Sequence, residues 1–189
     1  STFGHALRPP VGAPAAWINE DVTPVPRNIY GVTKLAAQNL CGLIQRSSTM
    51  PVMILRTSRF FPEADDDKAA REAYENDNLK VSELLYRRAD IEDVVSAHLC
   101  AIGRAPAIGF GRYIISATTP FTIDDLHELR VNPASVVGRR IPAYPAEYER
   151  RGWSMVRSID RVYDNERARR ELGWQPRYDF AYVIERLRA

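Results

Sequence analysis

The chain has 189 residues, 45% of them hydrophobic, and 26 basic residues against 24 acidic ones give a formal net charge of +2. This length and apolar share suffice to bury a core in one domain or slightly more. A charge balance so near neutral gives no reason to expect nucleic acid or a membrane as partner. There is no run of about 18 apolar residues and no signal-peptide pattern, so a cytoplasmic protein is expected. Cys41 and Cys100 lie in apolar helical contexts, where buried free thiols of a reducing compartment are expected. The histidines and cysteines show no metal-ligand spacing.

In chain order, residues 1–28 hold Pro9, Pro10, Pro14, Pro24 and Pro26 without a sustained period and read as loop. A helix is expected from Arg27 or Asn28 to about Ser47. Asn28 would be its N-cap, and Ala36, Leu40, Leu43 and Ile44 its buried face. Pro51 opens Val52-Met53-Ile54-Leu55, a short apolar run that fits a buried parallel strand. Residues 66–78 are strongly charged and predict an exposed helix or mobile loop. Asp90 is placed to cap a helix with Val94, Val95, His98, Leu99 and Ile102 inward, which makes His98 a packed core residue rather than a ligand. Arg112-Tyr113-Ile114-Ile115-Ser116 predicts a second buried strand. Thr122 and Asp125 form a capping-box pattern before a short helix through Leu129. Asp164 caps a helix stopped by Gly173, with Trp174 packing back on it and Pro176 beyond. A last helix is expected from about Phe180 to Leu187. Trp17, Trp153, Tyr144 and Tyr148 are expected to pack rather than bind. The alternation points to an α/β fold with parallel pairing. Two or three strands alone would leave sheet edge unpaired, and the chain opens on Ser1-Thr2-Phe3-Gly4 without a strand or helix. Missing sequence before residue 1 is therefore expected.

Tyr30 and Lys34 stand i, i+4 near the start of the first helix, on one face. A free phenol has a pKa near 10 and is a poor base at neutral pH. An ammonium a few ångströms away favours the phenolate, and lowering a phenol by roughly 3 units takes about 4 kcal/mol of differential stabilisation. A phenolate so prepared can take a proton from a hydroxyl while the carbon gives up hydride. The spacing alone is common in helices and equally describes a surface lysine beside a half-buried tyrosine.

The surrounding residues narrow this. Asn19 to Lys34, with Glu20, Pro24 and Pro26 ahead of Tyr30-Gly31-Val32-Thr33-Lys34, resembles the extended short-chain dehydrogenase/reductase family of NAD-dependent nucleotide-sugar epimerases and dehydratases. Phe3-Gly4 is similar to the family's Tyr-Gly after its catalytic Ser/Thr strand. Leu55-Arg56-Thr57-Ser58-Arg59 resembles its Leu-Arg-x-x-Asn segment, and Asp90 through Leu99 its His-Val-Asp-Asp-Val-Ala-x-Ala-His block. Asp164 through Pro176 resembles its late Asp-x-Ser-Lys-Ala-x-x-Glu-Leu-Gly-Trp-x-Pro helix.

The resemblance implies the C-terminal part of a Rossmann-type doubly wound parallel sheet plus a small mixed α/β substrate-binding lobe. Residues 1–62 would be the remainder of the dinucleotide-binding domain and residues 63–189 mainly the lobe, with 86–116 returning to the sheet. Tyr30 would be the acid/base and Lys34 its partner, both also holding the cofactor's nicotinamide ribose. Ser58 would touch the nicotinamide end. Ser1, Arg59, Arg87 and Arg88 are candidate substrate contacts. Arg59 replaces the family's usual Asn, and its planar fork suits carboxylate or phosphate. Arg87 and Arg88 lie one or two residues from the family's diphosphate-binding Arg, and a solvated charge pair describes them equally well. The implied cofactor is NAD, with NADP left open, and the implied assembly is a homodimer. The sequence departs from the family in lacking the Gly-x-x-Gly-x-x-Gly turn that receives the pyrophosphate at a helix N-terminus. Gly109-Phe110-Gly111 precedes a strand and has the wrong context. Two other readings stay open. One is a dehydrogenase or reductase of a small non-nucleotide substrate, favoured by the short stretch between Pro62 and Tyr86. The other is a catalytically silent chain serving as an interaction module.

Overall fold

Asn28 ends the proline-rich opening by accepting a hydrogen bond from Gly31 N at 2.8 Å. Helix α1 then runs from Ile29 to Ser47 in a computed structural model that describes residues 2–63 and 68–189. This local cap is why the start of α1 is where the sequence places it. Strands β1 (Ala16–Ile18), β2 (Val52–Thr57), β3 (Phe110–Ile115) and β4 (Arg161–Tyr163) pair as β1 with β4 and β2 with β3, both parallel. The expected strands at Val52 and Arg112 are β2 and β3, each slightly longer than expected. Residues 1–28 are not all loop, because β1 lies inside them and a 3-10 turn spans His5–Leu7. Three residues are too few to show a period of two, and the partner of β1 stands about 145 positions away in sequence.

Between β2 and β3 lie α2 (Lys68–Ala73), α3 (Asn76–Glu83) and α4 (Ile91–Ile108). Part of the charged stretch 66–78, residues 66 and 67, lies outside the described residues. The remainder is two helices rather than one; residues 68–77 are exposed apart from half-buried Ala70 and Tyr74, and only Asn78 at the end of the stretch is buried. Asp90 caps α4 by accepting from Glu92 N at 2.8 Å. After β3, the Thr122–Asp125 capping box is present and leads into α5 (Leu126–Leu129). Helices α6 (Pro133–Arg140) and α7 (Tyr144–Arg151) were not legible in the sequence, because each has only 8 residues, too few to establish a helical period. Then α8 (Glu166–Leu172) stops at Gly173, whose φ of 68° is the left-handed conformation glycine adopts freely, and α9 (Phe180–Arg188) closes the chain. Asp164 supports the start of α8 by accepting from Glu166 N at 2.8 Å.

Two apolar bodies result. One joins α4, β3 and α8 through Val94, Ala97, Ala101, Tyr113, Leu172 and Trp174. Trp174 packs beyond its own helix, donating from Nε1 to Asp93 O and Ser96 Oγ of α4. Asp93 is buried and accepts from Arg177 N and Tyr178 N, which fixes the segment entering α9. The other body gathers α5, α6, α7 and α9 around Val162 of β4. Tyr144 and Tyr148 are buried there with ring centroids 4.7 Å apart, as expected of packing residues.

The inward faces of α1 and α4 differ from expectation. In α1 the fully buried residues are Gly31 and Gly42, while Ala36, Leu40, Leu43 and Ile44 are exposed. The helix comes close to β3 at Gly42, where a Cβ would lie 3.7 Å from the Phe110 ring. In α4 the buried residues are Asp93, Val94, Ala97 and Ala101. Val95, Leu99 and Ile102 are exposed, and so is His98, whose Nδ1 lies 2.8 Å from Val94 O. His98 is therefore not a core histidine. Small side chains allow the helix to approach the sheet, and the larger ones point outward.

Candidate active site

One turn into α1, Tyr30 and Lys34 point the same way, as their i, i+4 spacing requires. The Lys34 Nζ lies 5.2 Å from the Tyr30 ring centroid. Tyr30 is 57% exposed. Neither side chain has a hydrogen-bond or ion-pair partner among the described residues, so both are available to a ligand. They line a cavity of about 460 Å³ that continues along α1 to Ala37, Gln38 and Cys41 and along β2 from Met53 to Ser58. That volume falls in the range of small-molecule sites, roughly 300–1,000 Å³. Ser58 stands at the C-terminal end of β2, where its N–H still donates to Ile115 O at 2.8 Å. Open parallel sheets bind ligands outside the carboxyl ends of their strands.

The wall behind the pair is rigid. Gln38, four residues beyond Lys34 on the same side of α1, accepts from Arg56 Nε at 3.1 Å and from Arg56 Nη2 at 2.9 Å. The Arg56 guanidinium lies 4.8 Å from the Phe3 ring centroid. Burial pushes Arg56 down from its ordinary value, and Arg112 adds to this, against the opposing effect of Glu20. Glu20 is itself buried. Its Oε1 accepts Ile114 N at 2.8 Å, and burial pushes its carboxyl up. Sequence reasoning missed Gln38 and Arg56 as site residues. The signal was present for Gln38, because Tyr30, Lys34 and Gln38 extend one i, i+4 series.

The predicted substrate residues form a separate group. Arg59, one residue beyond Ser58, donates its N–H to Arg87 O at 3.0 Å, and Ala89 N donates to Arg59 O at 2.9 Å. Arg87 and Arg88 flank the buried Glu83. Arg88 Nε donates to Glu83 Oε2 at 2.7 Å, and Arg87 Nη2 lies 2.6 Å from Oε1 in an ion pair that is not aligned as a hydrogen bond. Arg88 also donates to Phe61 O. Arg161, not singled out from sequence, joins Arg87 over the Tyr86 ring, at 6.0 and 5.6 Å from its centroid. So Tyr30, Lys34 and Ser58 share a cavity, whereas Arg59, Arg87 and Arg88 are joined to it only through the chain after β2. Ser1 lies outside the described residues. Both cysteines are free and half-buried. Among the described residues no group of His, Cys, Asp or Glu could hold a metal ion, and no described helix is long and apolar enough to cross a membrane.

The donor set of the cavity suits the nicotinamide end of a dinucleotide. A phenol and an ammonium are groups that can meet a ribose and a reacting hydroxyl, and Ser58 lines the same cavity at the strand end. No described helix begins with a glycine-rich turn, so a pyrophosphate has no equivalent cradle here.

No protein-family model matches the chain, and no curated protein sequence does. Solved structures do match. The UDP-N-acetylglucosamine 4-epimerase from Bacillus cereus is similar at a TM-score of 0.52 and 17% identity over 90% of this chain and 55% of that one. A short-chain dehydrogenase/reductase superfamily protein from Agrobacterium tumefaciens with bound NAD is similar at 0.55 and 20% over 97% and 63%. The UDP-glucuronic acid 4-epimerase from Bacillus cereus in complex with UDP-glucuronic acid and NAD is similar at 0.51 and 18% over 90% and 55%. At such identities the likeness is one of fold, which is that of the C-terminal portion of Rossmann-type epimerases and short-chain dehydrogenases/reductases. The chain spans 55–63% of the length of these structures.

Proposed function

We propose that this chain carries the acid/base half of an NAD-dependent enzyme acting on a nucleotide-sugar, of the epimerase or dehydratase type. The observation that carries the reading is the meeting of Tyr30, Lys34 and Ser58 in one cavity that runs along a parallel strand to its carboxyl end. Tyr30 Oη takes the proton of a sugar hydroxyl. Lys34 Nζ holds negative charge on that oxygen and orients the ribose of the cofactor. Ser58 contacts the nicotinamide end, which when bound supplies the hydride acceptor. Gln38 and Arg56 keep α1 and β2 at a fixed spacing, so that the phenol and the strand end stay matched. In this reading residues 1–62 and 86–116 belong to the cofactor side, and much of the remainder is the substrate lobe. Of the three arginines, Arg59, one residue beyond Ser58, is placed nearest the cavity to meet the sugar nucleotide, while Arg87 and Arg88 stand behind it on Glu83. An arginine fork suits the phosphates of the nucleotide.

The test is NAD reduction or product formation with a panel of UDP- and dTDP-sugars, comparing the parent protein with Tyr30→Phe. General acid/base catalysis by one group is worth about 10²- to 10⁴-fold, and a loss of that size is expected in kcat. The fold should be unaffected, because the Tyr30 hydroxyl has no partner among the described residues. Equal turnover in the variant removes Tyr30 from the mechanism. Turnover of small alcohols or ketones but of no sugar nucleotide would replace the substrate class.

A further inference from the structure

Arg161 is a cation to which the chemistry of Tyr30 gives no task. It opens β4, stands in register with Ala16 of β1, and is half-buried. Its guanidinium lies 6.0 Å from the Tyr86 ring centroid, and that of Arg87 lies 5.6 Å from the same centroid. Tyr163, two residues on along the strand, shares a face with Arg161. Burial pushes the Tyr163 phenol up, and the Arg161 guanidinium beside it, with Arg87, opposes this. Tyr163 also lines the cavity that holds Tyr30, Lys34 and Ser58. Arg161 thus stands between the wall of that cavity and the arginines on Glu83.

The carboxylates around it are engaged elsewhere. Glu83 is held by Arg87 and Arg88, and Asp160 pairs with Arg130. Asp164 accepts from Trp17 Nε1 and from Glu166 N. Arg161 pairs with no carboxylate among the described residues, and its Nε is buried there without a hydrogen-bond partner. A ring face compensates a half-buried guanidinium less well than a counter-ion does. The arrangement is that of a cation kept for an anion from outside the chain. Its planar fork matches a carboxylate through two parallel hydrogen bonds. The position also bears on which anion. A diphosphate is common to every sugar nucleotide, whereas Tyr163 ties Arg161 to the cavity in which the sugar hydroxyl reacts.

We propose that Arg161 is a specificity-determining residue whose fork binds a carboxylate carried by the sugar, so that the substrate is a nucleotide-linked uronic acid. The inference rests on the nucleotide-sugar reading of the Tyr30 site and narrows it.

Isothermal titration calorimetry of the full-length protein with NAD tests it, with UDP-glucuronate and UDP-glucose as probes. The two differ only in the carboxylate. The parent is expected to bind UDP-glucuronate about 10- to 100-fold more tightly, the range of a hydrogen bond to a charged group. Arg161→Gln and Arg161→Met are expected to remove this preference by weakening UDP-glucuronate alone. Equal affinities in the parent overturn the proposal and leave the nucleotide-sugar reading standing. A preference that survives both variants also overturns it. So does an equal loss for both probes, since Arg161 then serves the diphosphate they share. Binding of neither probe by the parent removes the nucleotide-sugar reading and this inference together.

Discussion

Glu83 is the carboxylate whose removal should cost the most. Its side chain is 1% exposed and stands between Arg88 at 11% and Arg87 at 25%. Glu83→Ala leaves two largely desolvated guanidiniums side by side without their shared counter-charge. Breaking a buried pair by deleting one partner costs about 3–5 kcal/mol. For a chain of this length that corresponds to a fall in melting temperature of roughly 6–20 °C. Glu83→Gln keeps an acceptor for Arg88 Nε and loses only the charge, so its cost is smaller, about 1–3 kcal/mol. The double variant Glu83→Leu/Arg88→Met removes the pair together. It should cost less than the sum of its single variants by about 1–3 kcal/mol, because Arg88, the more deeply buried of the two arginines, is then not left without its counter-charge. Urea unfolding followed by near- and far-UV circular dichroism gives the free energies, with the m-values checked for constancy. A Glu83→Ala penalty below about 1 kcal/mol, or strict additivity of the two sites, would refute the idea that this carboxylate holds the arginines in a dry site.

Two further outcomes follow from other buried groups. Burial raises the Glu20 carboxyl above its ordinary 4.5, against the hydrogen bond from Ile114 N and the charge of Arg167. The folded state therefore holds this proton more tightly than the unfolded chain does. The resulting stability is present below pH 4.5 and is lost as pH rises through the raised value. Glu20→Gln should flatten that decline in a series of urea midpoints from acid to neutral pH, and identical slopes in the two proteins would exclude Glu20 as its source. At Gly4, φ is 54° and an added Cβ would sit 1.9 Å from Val25 O, a backbone atom. Gly4→Ala should therefore cost more than about 2 kcal/mol, read as a lowered melting temperature. An unchanged melting temperature would show that the bridge between Gly4 and Val25 is not fixed as described.

Features decided by neighbours in sequence were legible in the sequence. Caps are local hydrogen bonds, so Asn28, Asp90, the Thr122–Asp125 box and Gly173 mark their helix ends correctly. The shared face of Tyr30 and Lys34 follows from helix geometry alone. The apolar runs of β2 and β3 identified them as strands for the same reason. What depends on distant partners was hidden. Strands β1 and β4 are three residues each and exist because they find one another across the chain. Arg56 looked like part of a motif, and only folding brought it onto Gln38. The inward faces of α1 and α4 were the largest surprise. Periodicity locates an apolar stripe but cannot say what meets it. The sheet claimed Gly42, Ala97 and Ala101, because small side chains let a helix axis come near a strand, and the large residues were left outward. The sequence by itself thus marked the capped ends of α1, α4 and α8 and put Tyr30 and Lys34 on one helix face. The tertiary structure decided which helix faces are inward, because burial is settled by the partner surface rather than by the residues that could accept one.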